Sequence, residues 1–273
     1  MAHSNTSLDP DWELYAAHRK EFTQAVLSAA PNNAGRLCVL GAGKCNDLDL
    51  SKLVGAFDEV HLVDLEPALL AAALSRETAE VRSRLVPHAP LDLSVLSAKR
   101  AGKWRRKAPS AVELQAAADS TLQALLARLP GPFDVVVSAC VMTQLGFAIA
   151  RTFGDSHALL GPLRVAVART HLQTLLGLTA PSGSALFVSD LASSTHYPLD
   201  TLPADAKLDD VLGDVVTKRA FYHLARPDMV RDLLRDIAPE RAVTALSPWL
   251  WTGPLARTYL VYGFGISSNS LSA

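Results

Sequence analysis

The 273 residues are long for a minimal domain and ordinary for one α/β enzyme domain with insertions. A hydrophobic fraction of 49% supplies a large core and excludes a disordered or fibrous chain. Lysine and arginine number 26 against 27 acidic residues, a net charge of −1, so no global basic field exists to hold nucleic acid and any such contact must come from a local patch.

Cys38, Cys45 and Cys140 are too few and too dispersed for a disulfide framework or a zinc site, and no metal is expected. The N-terminus lacks a basic stretch followed by an apolar one, so it does not read as a secretory signal. No window approaches the ~20 apolar residues of a membrane helix. The expectation is a soluble, cytoplasmic protein without membrane contact.

Along the chain, short apolar runs alternate with helical stretches. Arg36–Leu40 stops at Gly41-Ala42-Gly43, Val60–Val63 stops at Asp64, and Leu85-Val86 leads to Asp92-Leu93. Phe133–Val137 stops at Ser138, and Ala185–Val188 at Ser189-Asp190. Near-continuous apolar strands are covered on both faces, as in a parallel sheet wrapped by helices. Helices are expected over Leu48–Phe57, Pro67–Arg82, Ser110–Leu129 and Gln144–Leu178, the last broken near Gly154 and Gly161-Pro162. Ala242–Leu246 and Thr258–Phe264 are β-rich, separated by Pro248, Gly253 and Pro254, and pair as a hairpin that adds an antiparallel strand. Two polar segments read as insertions, at about 97–109 and 191–226. The first carries the basic run Lys99–Lys107 around Trp104, and the second has a short helical patch near Asp209–Val216.

Gly41-Ala42-Gly43 forms a tight turn between a strand and a helix, and Asp64 ends the next strand about 20 positions on, where a carboxylate meets ribose hydroxyls. A turn that merely connects, with Asp64 as a solvated cap, is the plainer alternative. A dinucleotide needs a third glycine in G-x-G-x-x-G, and that position is Asn46, which counts against NAD.

Taken in order, these motifs resemble class I S-adenosylmethionine-dependent methyltransferases, from about Gly35 to Phe264. Val39–Cys45 resembles the glycine-rich first motif, Val63–Pro67 the ribose-binding acid and its turn, and Leu91-Asp92-Leu93 the acid that faces the adenine amine. Phe133–Ala139 resembles the fourth strand, which ends beside the reactive methyl. The resemblance implies a Rossmann-like, seven-stranded, mostly parallel sheet with an antiparallel C-terminal hairpin strand and helices on both faces. It implies a helical cap over residues 1–34 and a methyltransferase domain over 35–273. S-adenosylmethionine is then the cofactor, bound by Gly41, Ala42, Gly43, Asn46, Asp64, Leu65, Asp92, Leu93, Ser138 and Ala139. Where the family carries an acid two places before the first glycine this chain has Val39, and its third glycine is Cys45, which leaves Asn46 or Asp47 to meet the methionine amino group.

Methyl transfer from a sulfonium is an in-line displacement served mainly by positioning, and a base is needed only if the acceptor must lose a proton. Ser138-Ala139-Cys140-Val141 lacks the (Asp/Asn)-Pro-Pro-aromatic segment used for amino groups on bases or glutamine, and Cys140 reads as a small buried residue rather than a nucleophile. Tyr15 and His18 on the N-terminal helix, Gln144, and His196-Tyr197 in the second insertion are candidate acceptor-site groups, with His196, Tyr197 and Tyr15 carrying catalysis. For Trp12, Tyr15 and Phe22 plain packing on one helical face is the simpler reading, and for His196 a solvated loop. Asp190 could orient a base or cap a turn. The leading expectation is a small-molecule oxygen or nitrogen acceptor. The alternatives are RNA or protein docked by the basic run, and a cofactor-binding module without turnover, since Val39 and Cys45 break the first motif.

Overall fold

The computed structural model describes residues 10–30, 35–154, 157–222, 224, 226–253 and 256–268. Its centre is a seven-stranded sheet in the order β3-β2-β1-β4-β5-β7-β6. The strands are β1 (Arg36–Leu40), β2 (Glu59–Val63), β3 (Leu85–His88), β4 (Phe133–Ala139), β5 (Thr179–Ser193), β6 (Arg241–Gly253) and β7 (Arg257–Ser268). Strands β1 to β5 pair in parallel, and β7 runs antiparallel between β5 and β6. This is the Rossmann-like, seven-stranded, mostly parallel sheet with an antiparallel C-terminal hairpin strand that the sequence implied. Strand order reverses at β1, which lies between β2 and β4, and a sheet of this type opens a crevice at the carboxyl ends flanking such a switch point.

The strands read as unbroken apolar runs because both faces are covered. Val39, Leu62 and Val137 pack on one face against Phe22, Leu53 and Leu70, carried by α2 (Ala16–Ser28), α3 (Leu50–Ala56) and α4 (Pro67–Arg76). Cys38, Val136 and Phe187 pack on the other against Leu125, Ile149, Leu172 and Leu234, carried by α7 (Ala111–Arg128), α8 (Val141–Phe153), α9 (Leu160–Gly177) and α11 (Pro227–Ile237). Short α1 (Pro10–Leu14) precedes α2, and Tyr15 lies at the break between them. Local chemistry sets the helix starts: Asp49 accepts from the Lys52 N–H, Ser110 and Glu113 form a reciprocal capping box, and Pro67 opens α4.

Several expectations are corrected. The helix expected over Pro67–Arg82 ends at Arg76, and Thr78 caps a separate short α5 (Ala79–Arg82) by accepting from the Val81 N–H. The helix expected from Gln144 begins at Val141 and breaks at Gly154, whereas Gly161-Pro162 lies in the first turn of α9, where proline costs no helical hydrogen bond. The basic run, for which no helix was expected, forms α6 (Ala98–Arg106), capped by Ser97 and anchored in the core by Trp104, 3% exposed. In the second insertion, Leu191–Ser193 still belong to β5, and the expected helical patch is α10 (Leu208–Thr217). The sequence reading passed over α11 altogether. The hairpin forms as expected, with Pro248 inside edge strand β6 beside a register shift between Leu246 and Trp249, where an edge tolerates proline. Pro254 lies outside the described residues. Among the described residues no helix is long and apolar enough to cross a membrane.

Candidate cofactor and active site

The turn after β1 is set by backbone geometry. Gly41 has φ +79°, and a Cβ there would stand 2.5 Å from the Val141 Cβ, so conformation and space both demand glycine. Gly43 has φ +53° with no atom within 4 Å of a built Cβ, which leaves its face open to the cleft. The Gly41 and Ala42 N–H groups donate to the Val63 carbonyl at 3.0 Å, tying the turn to the end of β2. There Asp64 accepts from the Gly43 N–H at 2.7 Å through one oxygen and from the Glu66 N–H at 2.9 Å through the other. Its carboxylate is thereby fixed at the cleft wall with lone pairs to spare.

The far side of the turn is held by guanidiniums. Arg19 donates to the carbonyls of Asn46 at 2.9 Å and Trp12 at 3.0 Å and stacks on the Trp12 ring at 3.6 Å. Arg76 donates to the Lys44 carbonyl.

The cleft encloses about 620 Å³, within the range of small-molecule sites. Among the predicted cofactor residues Gly41, Ala42, Gly43, Asn46, Asp64, Leu65, Asp92, Leu93 and Ala139 line it, so the structure brings them together. Ser138 does not line it; this residue is fully buried, with its hydroxyl 2.7 Å from the His171 Nε2. Asp92 is exposed at the cleft's edge, where one oxygen accepts from the Ser94 N–H at 2.8 Å.

Of the acceptor-site candidates, Tyr15 and Gln144 line the cleft, whereas His18, His196 and Tyr197 do not. Tyr15 stands over it from the α1–α2 break, its ring 4.5 Å from that of Trp251. His196 is engaged within its own loop: Nδ1 lies 3.1 Å from the Ser193 hydroxyl and the ring meets Tyr222 edge-on at 4.5 Å. Tyr197 donates to Asp214 of α10 at 2.6 Å, a carboxylate that Lys218 also binds. These bonds give the Tyr197 hydroxyl a partner inside the insertion rather than in the cleft. Tyr222 of the insertion packs edge-on against Phe147 of α8, a helix whose Gln144 and Ala148 line the cleft.

His18 is fully buried between aromatic rings, stacked 4.8 Å from Trp251. The Trp249 Nε1–H donates to its Nδ1 at 2.9 Å, which assigns the ring proton of the neutral form to Nε2. Burial and the neighbouring Arg19 charge hold its pKa down at about 3, so the ring is neutral. Its Nε2 lies 3.9 Å from Asp47 and finds no hydrogen-bond partner in the protein.

Asp47 lines the cleft. Burial pushes its pKa up to about 7, the like charge of Asp190 adding to this and Arg19 opposing it. Asp190, near the end of β5, is raised to about 6 by burial, against hydrogen bonds from Thr143 and Cys140. Cys140 begins α8 in a left-handed conformation with its thiol pKa pushed well up by burial, as suits a packing residue and not a nucleophile.

Glu66, Lys44 and the face of α8 formed by Val141, Leu145, Ala148 and Arg151 also line the cleft and were missed. Helical spacing from Gln144 was the available signal, since positions 141, 144, 145, 148 and 151 share one face.

No protein-family model matches the sequence, and no curated protein matches it. Among solved structures, the chain is similar to the N-methyltransferase NodS from Bradyrhizobium japonicum WM9 at 15% identity, covering 95% of this chain and 98% of that one, with a TM-score of 0.48. NodS is also solved in complex with S-adenosyl-L-homocysteine. The methyltransferase domain of bacterial CtHen1 is 14% identical over 93% of this chain and 99% of that one, TM-score 0.48. The arsenic(III) S-adenosylmethionine methyltransferase of Chlamydomonas reinhardtii is 14% identical over 92% and 72%, TM-score 0.40. Likenesses this remote carry neither activity nor acceptor over to this chain.

Proposed function

We propose that the chain is an S-adenosylmethionine-dependent methyltransferase that acts on a small-molecule oxygen or nitrogen acceptor. The observation that carries the reading is the pairing of an open-faced Gly41–Gly43 turn with Asp64, whose carboxylate is locked at the wall of the same cleft by the Gly43 and Glu66 N–H groups. The residues fit such a cofactor at both ends. At one end the unhindered face of Gly43 and the fixed Asp64 suit a ribose, and the exposed carboxylate of Asp92 suits the adenine amine, with Leu65 and Leu93 offering apolar surface to the ring. At the other end the cleft meets Asp47 and Asn46, whose buried Oδ1 has no hydrogen-bond partner in the protein and so suits an ammonium donor.

The bound cofactor supplies a sulfonium methyl group to an acceptor lone pair. The chain's part is to position and enclose. Ala139 at the end of β4 and Gln144 on α8 border the space where an acceptor meets the methyl, and Tyr15 covers it from the N-terminal helices, with residues 1–34 as cap and 35–273 as the transfer domain. In-line positioning of this kind is worth up to ~7–11 kcal/mol. Asp47 lines the cleft with its pKa raised to about 7, so it can take a proton from an acceptor that has one to lose; Asp190, raised to about 6, lies outside the lining and acts on Asp47 through its like charge. His196 and Tyr197 serve this reading by closure of the second insertion, which requires Tyr197 to exchange its Asp214 bond for the cleft.

The test is a panel of hydroxyl and amine acceptors incubated with S-adenosylmethionine and scored for S-adenosylhomocysteine release. Acceptor-dependent release that disappears in Asp64→Ala is expected. Wild-type protein that binds S-adenosylhomocysteine yet releases none with any small acceptor would contradict the small-molecule half of the proposal.

A further inference from the structure

A second recess of about 530 Å³ opens between α6, α7 and the segment that follows β3. Lys99, Arg100 and Lys103 of α6 and Arg128 of α7 converge on it, joined by the hydroxyls of Ser94 and Ser120. Arg100 is a fixed donor: its Nη1 is held by the Val95 carbonyl at 2.9 Å and the Thr121 hydroxyl at 2.8 Å. Arg128 donates to the Pro90 carbonyl at 3.1 Å. Both sets of partners are neutral. Among the described residues no carboxylate ion-pairs with Lys99, Arg100 or Arg128, while Lys103 pairs with the exposed Glu113 at 2.7 Å. Asp92, at the boundary with the cofactor cleft, is the recess's lining carboxylate, and one of its oxygens is committed to the Ser94 N–H.

A protein of near-zero net charge has no need to gather cations that its own carboxylates leave uncompensated. Guanidiniums pinned by neutral acceptors still present their remaining N–H groups, and with adjacent hydroxyls they match the size and charge of a phosphate better than a lone carboxylate. We infer that this recess, which adjoins the cofactor cleft along Leu91, Asp92 and Ser94, is a phosphate-binding site that takes a phosphoryl group of a phosphorylated ligand. The inference does not depend on the methyltransferase reading. The phosphate could belong to a small phosphorylated molecule or to one nucleotide of an RNA strand running along the exposed Arg105–Lys107 end of α6.

The experiment is calorimetric titration of the full chain with pyrophosphate, and separately with a short single-stranded RNA. Lys99→Gln/Arg128→Gln alters exposed side chains only, and a thermal melt confirms its fold. Saturable pyrophosphate binding, weakened at least tenfold in the double variant with S-adenosylhomocysteine affinity unchanged, is expected. RNA binding that pyrophosphate competes away and that the variant also loses assigns the phosphate to a nucleic acid; pyrophosphate binding without RNA binding assigns it to a small ligand. No saturable pyrophosphate binding, or binding that the folded double variant retains in full, overturns the inference; RNA binding indifferent to pyrophosphate places the RNA elsewhere and leaves variant-sensitive pyrophosphate binding assigned to a small ligand.

Discussion

Replacing Asp64 with alanine tests two functions of one carboxylate at once. In the folded chain its oxygens accept from the Gly43 N–H at 2.7 Å and the Glu66 N–H at 2.9 Å, so the substitution strands both donors. Gly43 opens to the cleft and its N–H can turn to water, which limits the stability loss to about 1–3 kcal/mol. For a chain of this size that corresponds to a melting temperature lower by roughly 2–4 °C per kcal/mol. In the proposed complex affinity suffers separately, because the ribose hydroxyls lose a charged acceptor and the Gly43 turn loses its tether. Together these effects are worth ~2–4 kcal/mol, roughly a 30- to 1000-fold weaker Kd for S-adenosylhomocysteine. Calorimetry well below the variant's melting temperature keeps the two losses apart. Asp64→Asn, which keeps one acceptor oxygen, should fall between the two proteins. A folded Asp64→Ala variant with wild-type affinity would remove Asp64 from the site and refute the reasoning.

In the proposed complex Asp92 accepts from the adenine amine; Asp92→Asn would replace that acceptor with a donor and should weaken S-adenosylhomocysteine by ~1–3 kcal/mol by calorimetry, with unchanged affinity displacing Asp92 from that role. Asp47 has a raised pKa, so the native state holds its proton more tightly than the unfolded chain, and the stability it contributes is lost as pH rises from the ordinary aspartate range through about 7. Asp47→Asn should therefore melt higher than wild type at about pH 8 without cofactor and lose that advantage by about pH 4; melts displaced equally at both would rule the explanation out. Gly41→Ala forces a Cβ to 2.5 Å from Val141 at a positive φ and should destabilise the protein by roughly 1–3 kcal/mol or more in denaturant titrations, whereas a neutral substitution would mean that the turn is drawn wrongly. The joint replacement of His196 and Tyr197 by alanine should depress turnover and leave S-adenosylhomocysteine affinity in place; unchanged turnover would confine both residues to holding the insertion together.

The parallel strands were legible because each is covered on both faces and reads as a continuous apolar run, and the Gly41–Gly43 turn was legible because its backbone demands glycine. Other elements hid behind composition. Cations from Lys99 to Lys107 masked the single deep anchor Trp104, so α6 looked like a solvated insertion. α11 was passed over although Val230, Leu233, Leu234 and Ile237 carry its helical spacing, because it follows a polar, proline-marked stretch. The part of the cleft proposed for the cofactor follows strand ends closely, so the sharing of one cleft by Gly43, Asp64 and Asp92 could be read from sequence. The part proposed for the acceptor is assembled from tertiary contacts. Which face of α8 turns to the cleft and how far Asp47 is buried depend on tertiary packing, and His18 sinks between Trp249 and Trp251, more than 200 residues away in the chain.

The central claim, that this cleft holds S-adenosylmethionine, is tested most directly by a crystal structure with S-adenosylhomocysteine. The account predicts the ribose hydroxyls within hydrogen-bond distance of Asp64, the adenine against Leu65 and Leu93 with its amine at Asp92, and the amino-acid end at Asn46 and Asp47. A complex with the ligand elsewhere, or saturating ligand that leaves this cleft empty, would contradict it.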